Sequence, residues 1–106
     1  MSSVQAVCVG VITIDTIALV EKYPGEDERV LAEQISRAGG GPAAVAAVAL
    51  SRLGIKSAIV GTIGDDADGK EVLRIFAQEG VDTSGVSIGS SATAGSTVTF
   101  SWNANG

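Results

Sequence analysis

The chain has no histidine, one cysteine, two prolines and only 7 basic residues among 106. Each shortage excludes something. A single cysteine, Cys8, cannot build an internal disulfide framework, so a reducing, cytoplasmic setting is expected. Without histidine the commonest general base is missing. The few Lys and Arg residues are scattered and stand against 12 acidic ones, for a net charge of −5. They form no basic patch for nucleic acid and none for an anionic membrane surface. The longest near-apolar run, Pro42 to Leu50, is far short of a membrane span. The first charge is Asp15, so the basic start of a signal peptide is not expected. Aromatic residues are 4% of the chain, whereas 45% is hydrophobic and 14 residues are glycine. That balance excludes disorder and suits an α/β layer architecture with helices seated close on a sheet.

What is present is most concentrated at Ala38-Gly39-Gly40-Gly41-Pro42, followed by small apolar residues from Ala43 to Leu50. The glycines offer bare backbone N–H groups to a ligand. Pro42 fits a first helical turn, where its missing N–H costs nothing. The helix behind it points a positive end at the glycines, which suits a hydroxyl-rich or anionic small molecule. A tight turn into a closely packed helix is the other reading of the same run.

Along the chain, Val4 to Ile12 reads as a buried parallel strand that includes Cys8, a structural thiol. Ile17 to Val20 is a short strand, and Arg29 to Ser36 an exposed one. A helix is expected from Pro42 to Leu53, with Gly54 at its C′ position. Lys56 to Ile63 reads as a second buried strand, and Asp68 to Glu79 as an amphipathic helix ended by Gly80. A short strand follows near Val86 to Ile88, and Ser96 to Trp102 alternates as a half-exposed strand. This order implies a parallel core sheet with right-handed crossovers. The half-exposed pieces, roughly 17–37 and 95–102, belong to a separate small sheet standing over it. Asn105-Gly106 is a hairpin signal that predicts a further partner strand. The chain is therefore expected to be the front portion of a larger protein.

Three phosphate- or metal-loop patterns fail on inspection. Gly64 to Lys70 matches G-x-x-x-x-G-K, but Glu71 stands where Ser or Thr must meet magnesium. The same stretch has Gly64 and Ile75 where a calcium loop needs carboxylates. Asp65 to Asp68 reads instead as a polar turn capping the next helix. Gly10 alone follows the first strand, so no dinucleotide fingerprint exists. Asp15 lies just past that strand, where ligands bind in open α/β sheets. It could accept hydrogen bonds from two sugar hydroxyls, or cap local backbone as a turn aspartate; the sequence leaves both open.

Gly10 with Asp15, Gly39-Gly40-Gly41-Pro42-Ala43 with the Ala-rich helix to Gly54, Val60 to Asp66 with Gly69, and Gly80-Val81-Asp82-Thr83 together resemble the ribokinase-like (PfkB-type) carbohydrate kinases. The resemblance covers nearly the whole chain and implies a three-layer α/β/α core with a parallel sheet plus a small β lid. Residues 1–106 would be its incomplete N-terminal part, with lid segments at about 16–37 and 95–106. The implied activity is ATP-dependent phosphorylation of a sugar hydroxyl. Asp15, Thr13, Gly39, Gly40 and Gly41 would bind the sugar, and the lid would also serve a homodimer contact. The family's catalytic aspartate, ATP pocket and Mg2+ site lie downstream, so the chain alone is expected to be inactive. Ala44 departs from the pattern: many members carry an Asn there that grips the sugar, which points away from ribose. Gly39 to Ala44 with Val7 to Gly10 looks most like the sulfofructose kinase branch or its neighbours, whose anionic tail Arg29 could meet; a solvated lid charge is the other reading of Arg29. The competing functional reading is a naturally short, non-catalytic sugar-binding or regulatory module.

Overall fold

The computed structural model describes residues 3–90 and 93, and the backbone of 96–102. The expected turn at Asn103 to Gly106 lies outside the described residues. Three strands, β1 (Ala6–Val9), β4 (Ser57–Gly64) and β5 (Asp82–Gly89), form a parallel sheet in the order β1-β4-β5. Three others, β2 (Thr13–Val20), β3 (Ala32–Gly40) and β6 (Ser96–Trp102), form a second sheet in the order β3-β2-β6. The small separate sheet expected from the half-exposed segments is therefore present. Its strands β2 and β3 are antiparallel, and β2 and β6 parallel.

Helix α1 (Pro42–Arg52) forms because alanine has the highest helix propensity and Pro42 opens it. Its N-cap residue Gly41 supplies no side-chain cap, and no acid lies in the first turn. Gly54, at φ +87°, follows it, and Ile55 N–H closes back on Leu50 carbonyl at 3.0 Å, the left-handed ending glycine permits. Helix α2 (Ala67–Glu79) is capped by Asp66, whose carboxylate accepts Gly69 N–H at 2.7 Å, and ends on left-handed Gly80.

Both helices cover one face of the parallel sheet. Ala44 and Ala47 of α1 and Val72 and Phe76 of α2 pack with Ile12, Ile14, Ile59, Ile63 and Val81 in one core, and Cys8 lies against it. The buried isoleucines contribute about 1.5–3 kcal/mol each. Ser57 Oγ–H donates to Ala47 carbonyl at 2.7 Å and ties α1 to β4. On the other face of the sheet Val7 and Val9 stay exposed. The described residues thus supply the sheet and one helical layer of the expected three-layer core.

Several boundaries differ from the sequence reading. The first strand stops at Val9, not Ile12, because Gly10 to Ile12 carry the chain out of the parallel sheet toward the second one. Ile12 is nevertheless 1% exposed, which explains its strand-like apolarity. β2 starts at Thr13 and absorbs Asp15. β3 begins later than Arg29 and runs through Gly39 and Gly40. β5 extends upstream from Val86 to Asp82, because β4 keeps pairing with it, through a register shift between Ala58 and Val60.

Candidate functional site

β1, β4 and β5 run parallel, so their C-terminal ends share one edge. The chain leaves β1 at that edge to enter β2, and α1 starts where β3 returns to it. The second sheet therefore rises beside the edge where open α/β sheets bind ligands.

Asp15 does not sit in the loop after the first core strand. It lies within β2 and pairs with Ala38 of β3 and, on the other side, with Thr97 of β6. Thr13 pairs with Gly40 in the same ladder. Successive strand side chains alternate faces, so Thr13, Asp15 and the vacant side-chain position of Gly40 share one face. Thr13 Oγ1–H donates to Asp15 Oδ1 at 3.1 Å. A Cβ on Gly40 would fall 2.5 Å from Asp15 Oδ2 and 2.8 Å from Thr13 Oγ1. Bare backbone at residue 40 is what lets the carboxylate lie flat against the strand.

Asp15 caps no backbone turn: its one hydrogen bond among the described residues comes from Thr13. A carboxylate has about four acceptor sites, so most remain open to incoming hydroxyl donors. Among the described residues no cation pairs with it either: Arg37 pairs with Asp68, Arg52 with Glu79, Arg74 with Glu71, and Lys22 with Glu28.

The other two glycines do different things. Gly39 faces away from Asp15, and a Cβ there would meet only Ile75 of α2, at 3.8 Å. Gly41 has φ +96°, and its Cβ would strike Val11 carbonyl oxygen at 2.3 Å; it is the swivel between β3 and α1. The structure thus brings Thr13, Asp15, Gly40 and Gly41 to the base of the β2–β3 hairpin, with Gly39 on its reverse side. Arg29 is not brought to them. It lies past the far end of the hairpin, beyond the Val20–Ala32 pair. The run from Asp15 to Val20 spans about 17 Å at ~3.3 Å per residue.

A cavity of about 290 Å³ opens between α1 and α2 behind the hairpin, walled by Thr13 and Gly39 on the hairpin side and by Ala44, Val48, Val72 and Phe76 among others. Its lining is mainly apolar, and Asp15 is not part of it. The carboxylate surface, not this crevice, is the candidate site.

One polar feature beside the site escaped the sequence reading. Thr93, buried in the connection from β5 to β6, donates N–H to Asp66 Oδ2 at 2.9 Å and Oγ1–H to Asp66 Oδ1 at 2.6 Å. Its Oγ1 also accepts Gly64 N–H at 3.1 Å. The Thr93 hydroxyl, then the Thr93 and Gly69 N–H groups, hold the Asp66 carboxyl below its usual range. Hydrogen bonds to the charged form have that effect. A lone threonine in a Gly/Ser/Thr-rich stretch carries no sequence signal of such a role.

The family model for pfkB family carbohydrate kinases matches residues 4–104. The chain belongs to the pfkB family of carbohydrate kinases. It is 36% identical over 88 residues to ketohexokinase of Mus musculus, covering 81% of this chain and 29% of that protein. The structure of Cryptococcus neoformans ribokinase in complex with ADP matches with a TM-score of 0.81 at 26% identity, over 100% of this chain and 32% of that one. Arabidopsis thaliana ribokinase complexed with ribose and ATP matches with a TM-score of 0.71 at 28% identity, over 88% of this chain and 30% of that one. The pfkB chain therefore spans about a third or less of the length of these relatives. They do not single out the sulfofructose kinase branch.

No group of three metal-ligating side chains occurs among the described residues. The G-x-x-x-x-G-K stretch is consumed by the start of α2, where a Cβ on Gly69 would lie 2.2 Å from Gly64 carbonyl oxygen. No helix among them is long and apolar enough to cross a membrane.

Proposed function

We propose that the protein carrying this chain transfers a phosphoryl group from ATP to a hydroxyl of a sugar or sugar derivative, and that these residues build part of the sugar site and its lid. The observation that carries this reading is the Asp15 carboxylate, laid against the bare Gly40 backbone with most of its acceptor sites open. Two neighbouring sugar hydroxyls would donate to Asp15, with Thr13 orienting the carboxylate. The backbone at Gly39 to Gly41 and the uncapped start of α1 would take the sugar's oxygens.

The sheet β3-β2-β6 would act as the lid. Closing it over the sugar excludes water, so that the phosphoryl group reaches the sugar and not a water molecule. ATP supplies the phosphoryl group and Mg2+ offsets its charge. We expect the ATP and Mg2+ sites to lie outside these residues, so that these residues alone would turn nothing over. Ala44 has no amide to offer a sugar, which favours a substrate other than ribose. A sugar with an anionic tail, as in the sulfofructose kinase branch, would need Arg29 to approach from the far end of the hairpin. The reaction belongs in the cytoplasm, which suits a chain with one free thiol. The relatives named above are kinases, which does not favour a non-catalytic module.

A second copy would dock on β3. It is an edge strand with Ile35 66% exposed and Leu31 beside its start 92% exposed, and such edges pair readily unless covered.

The test is phosphorus NMR of the intact protein with MgATP and a panel of pentoses, hexoses and acidic sugars. A sugar phosphate ester signal should appear with one class of sugar. ATP hydrolysis at the same rate with and without every sugar would overturn the proposal.

A further inference from the structure

The small sheet is tied to the core by polar contacts on both flanks, and both ties end at the start of α2, on its N-cap Asp66 and its first-turn Asp68. On one flank Arg37 of β3 forms an ion pair with Asp68. On the other, Thr93 gives Asp66 two hydrogen bonds just before β6 begins. β2, which carries Asp15, lies between these flanks.

Asp66 does more than an N-cap requires. A cap needs one acceptor for one backbone N–H. Asp66 provides that to Gly69 with Oδ1 and also receives both donors of Thr93. Thr93 in turn accepts the N–H of Gly64, the last residue of β4. One carboxylate thus joins the end of a core strand, the start of a core helix and the segment leading into the small sheet. Thr93 precedes by only four residues Thr97, the backbone partner of Asp15. Those residues span at most about 14 Å even when fully extended. Where Thr93 is held therefore limits where β6 can lie against Asp15.

We propose that Asp66 is a positioning residue for the Asp15 site: through Thr93 it sets the strand that flanks Asp15, while Asp68 holds the opposite flank through Arg37. The functional consequence rests on the sugar-kinase reading given above; the anchoring itself does not. Hydrogen bonds from Thr93 and Gly69 hold the Asp66 carboxyl below its usual range, so it accepts as a carboxylate at neutral pH.

Asp66→Asn separates the two jobs of this residue. Asn is as good an N-cap as Asp, so α2 keeps its start. It has only one acceptor oxygen, so Thr93 loses a partner. Thr93→Val removes the hydroxyl at nearly constant shape, and Thr93→Ser restores it. In the intact protein, Asp66→Asn and Thr93→Val should raise the sugar KM about tenfold, the scale of a hydrogen bond to a charged group. The ATP KM should stay unchanged, and Thr93→Ser should return the sugar KM toward that of the unmodified protein. Equal changes in both KM values, or a loss of kcat alone, would mean a merely structural role and overturn the proposal. If the unmodified protein phosphorylates no sugar, the kinase reading fails and amide hydrogen exchange decides the anchoring. Faster exchange confined to β2 and β6 in Thr93→Val would support it; no change, or equal acceleration in β1, β4 and β5, would refute it.

Discussion

Gly40 lies opposite Thr13 in the β2–β3 ladder, and a methyl group on it would stand 2.5 Å from the carboxylate of Asp15. The atoms it would strike are the tips of two side chains, which can swing aside. Gly40→Ala should therefore leave the fold standing while displacing the site. Misplacing a binding group by about 1 Å costs up to ~100-fold, so sugar kcat/KM should fall by about that factor. The urea unfolding midpoint should move little.

Its neighbours should behave differently. A methyl on Gly39 meets only Ile75 at ordinary contact distance, so Gly39→Ala should change both stability and sugar KM little. A methyl on Gly41 meets backbone, the Val11 carbonyl oxygen, at φ +96°. Positive φ costs a non-glycine residue about 1–2 kcal/mol, and a forced shift of packed atoms a further 1–3 kcal/mol or so. Gly41→Ala should destabilise by about 2–5 kcal/mol in urea unfolding on these grounds. Three equal responses across the run would contradict this division.

Acid should loosen the Asp66 node. Its carboxyl titrates below the usual aspartate range in the folded chain, held there first by the Thr93 hydroxyl. A depressed folded value means stability that is present above the unfolded value and lost as pH falls through the folded one. Stability should hold from neutral pH down to about 4 and then fall. In Asp66→Asn the fall should be shallower, because that carboxylate no longer takes part. Urea midpoints between pH 6 and pH 2.5 for both proteins check this; parallel curves would count against it.

The proposed contact between copies through β3 predicts a concentration-dependent dimer. Ile35→Glu places a charge on that exposed strand. Light scattering after size exclusion should then show monomer, with thermal stability of each subunit little altered. A monomer before substitution, or a dimer that survives it, would exclude this surface.

Much of the architecture is legible in the chain, for identifiable reasons. The alanines after Pro42 and the glycine at 54 mark α1 at both ends. The alternation from Ser96 to Trp102 marks a strand outside the core sheet. The turn from Asp65 to Asp68 reads as a helix cap, and within it Asp66 is the cap. The misreadings cluster around the site. Aspartate and glycine are depleted in strands, so Asp15, Gly39 and Gly40 look like loop residues. They lie in strands because the ladder between β2 and β3 overrides local preference, and because only glycine at residue 40 leaves room for the carboxylate. The polar start of β5 hides a strand for a similar reason: pairing with β4 compensates for weak propensity. Thr93 is illegible, since its partners Asp66 and Gly64 lie nearly 30 residues upstream.

Asp15 is the residue on which the proposed sugar site rests. Sugar titrated into the intact protein, and into its Asp15→Asn and Asp15→Ala forms, measures that directly by calorimetry. Loss of a charged acceptor for two hydroxyls should weaken sugar binding by about 100-fold or more, each bond to a charged group being worth about 1.5–3 kcal/mol. ATP binding should be unaffected. Sugar affinity within twofold or so of the unmodified protein in both variants would contradict the assignment of Asp15 as the sugar-gripping carboxylate.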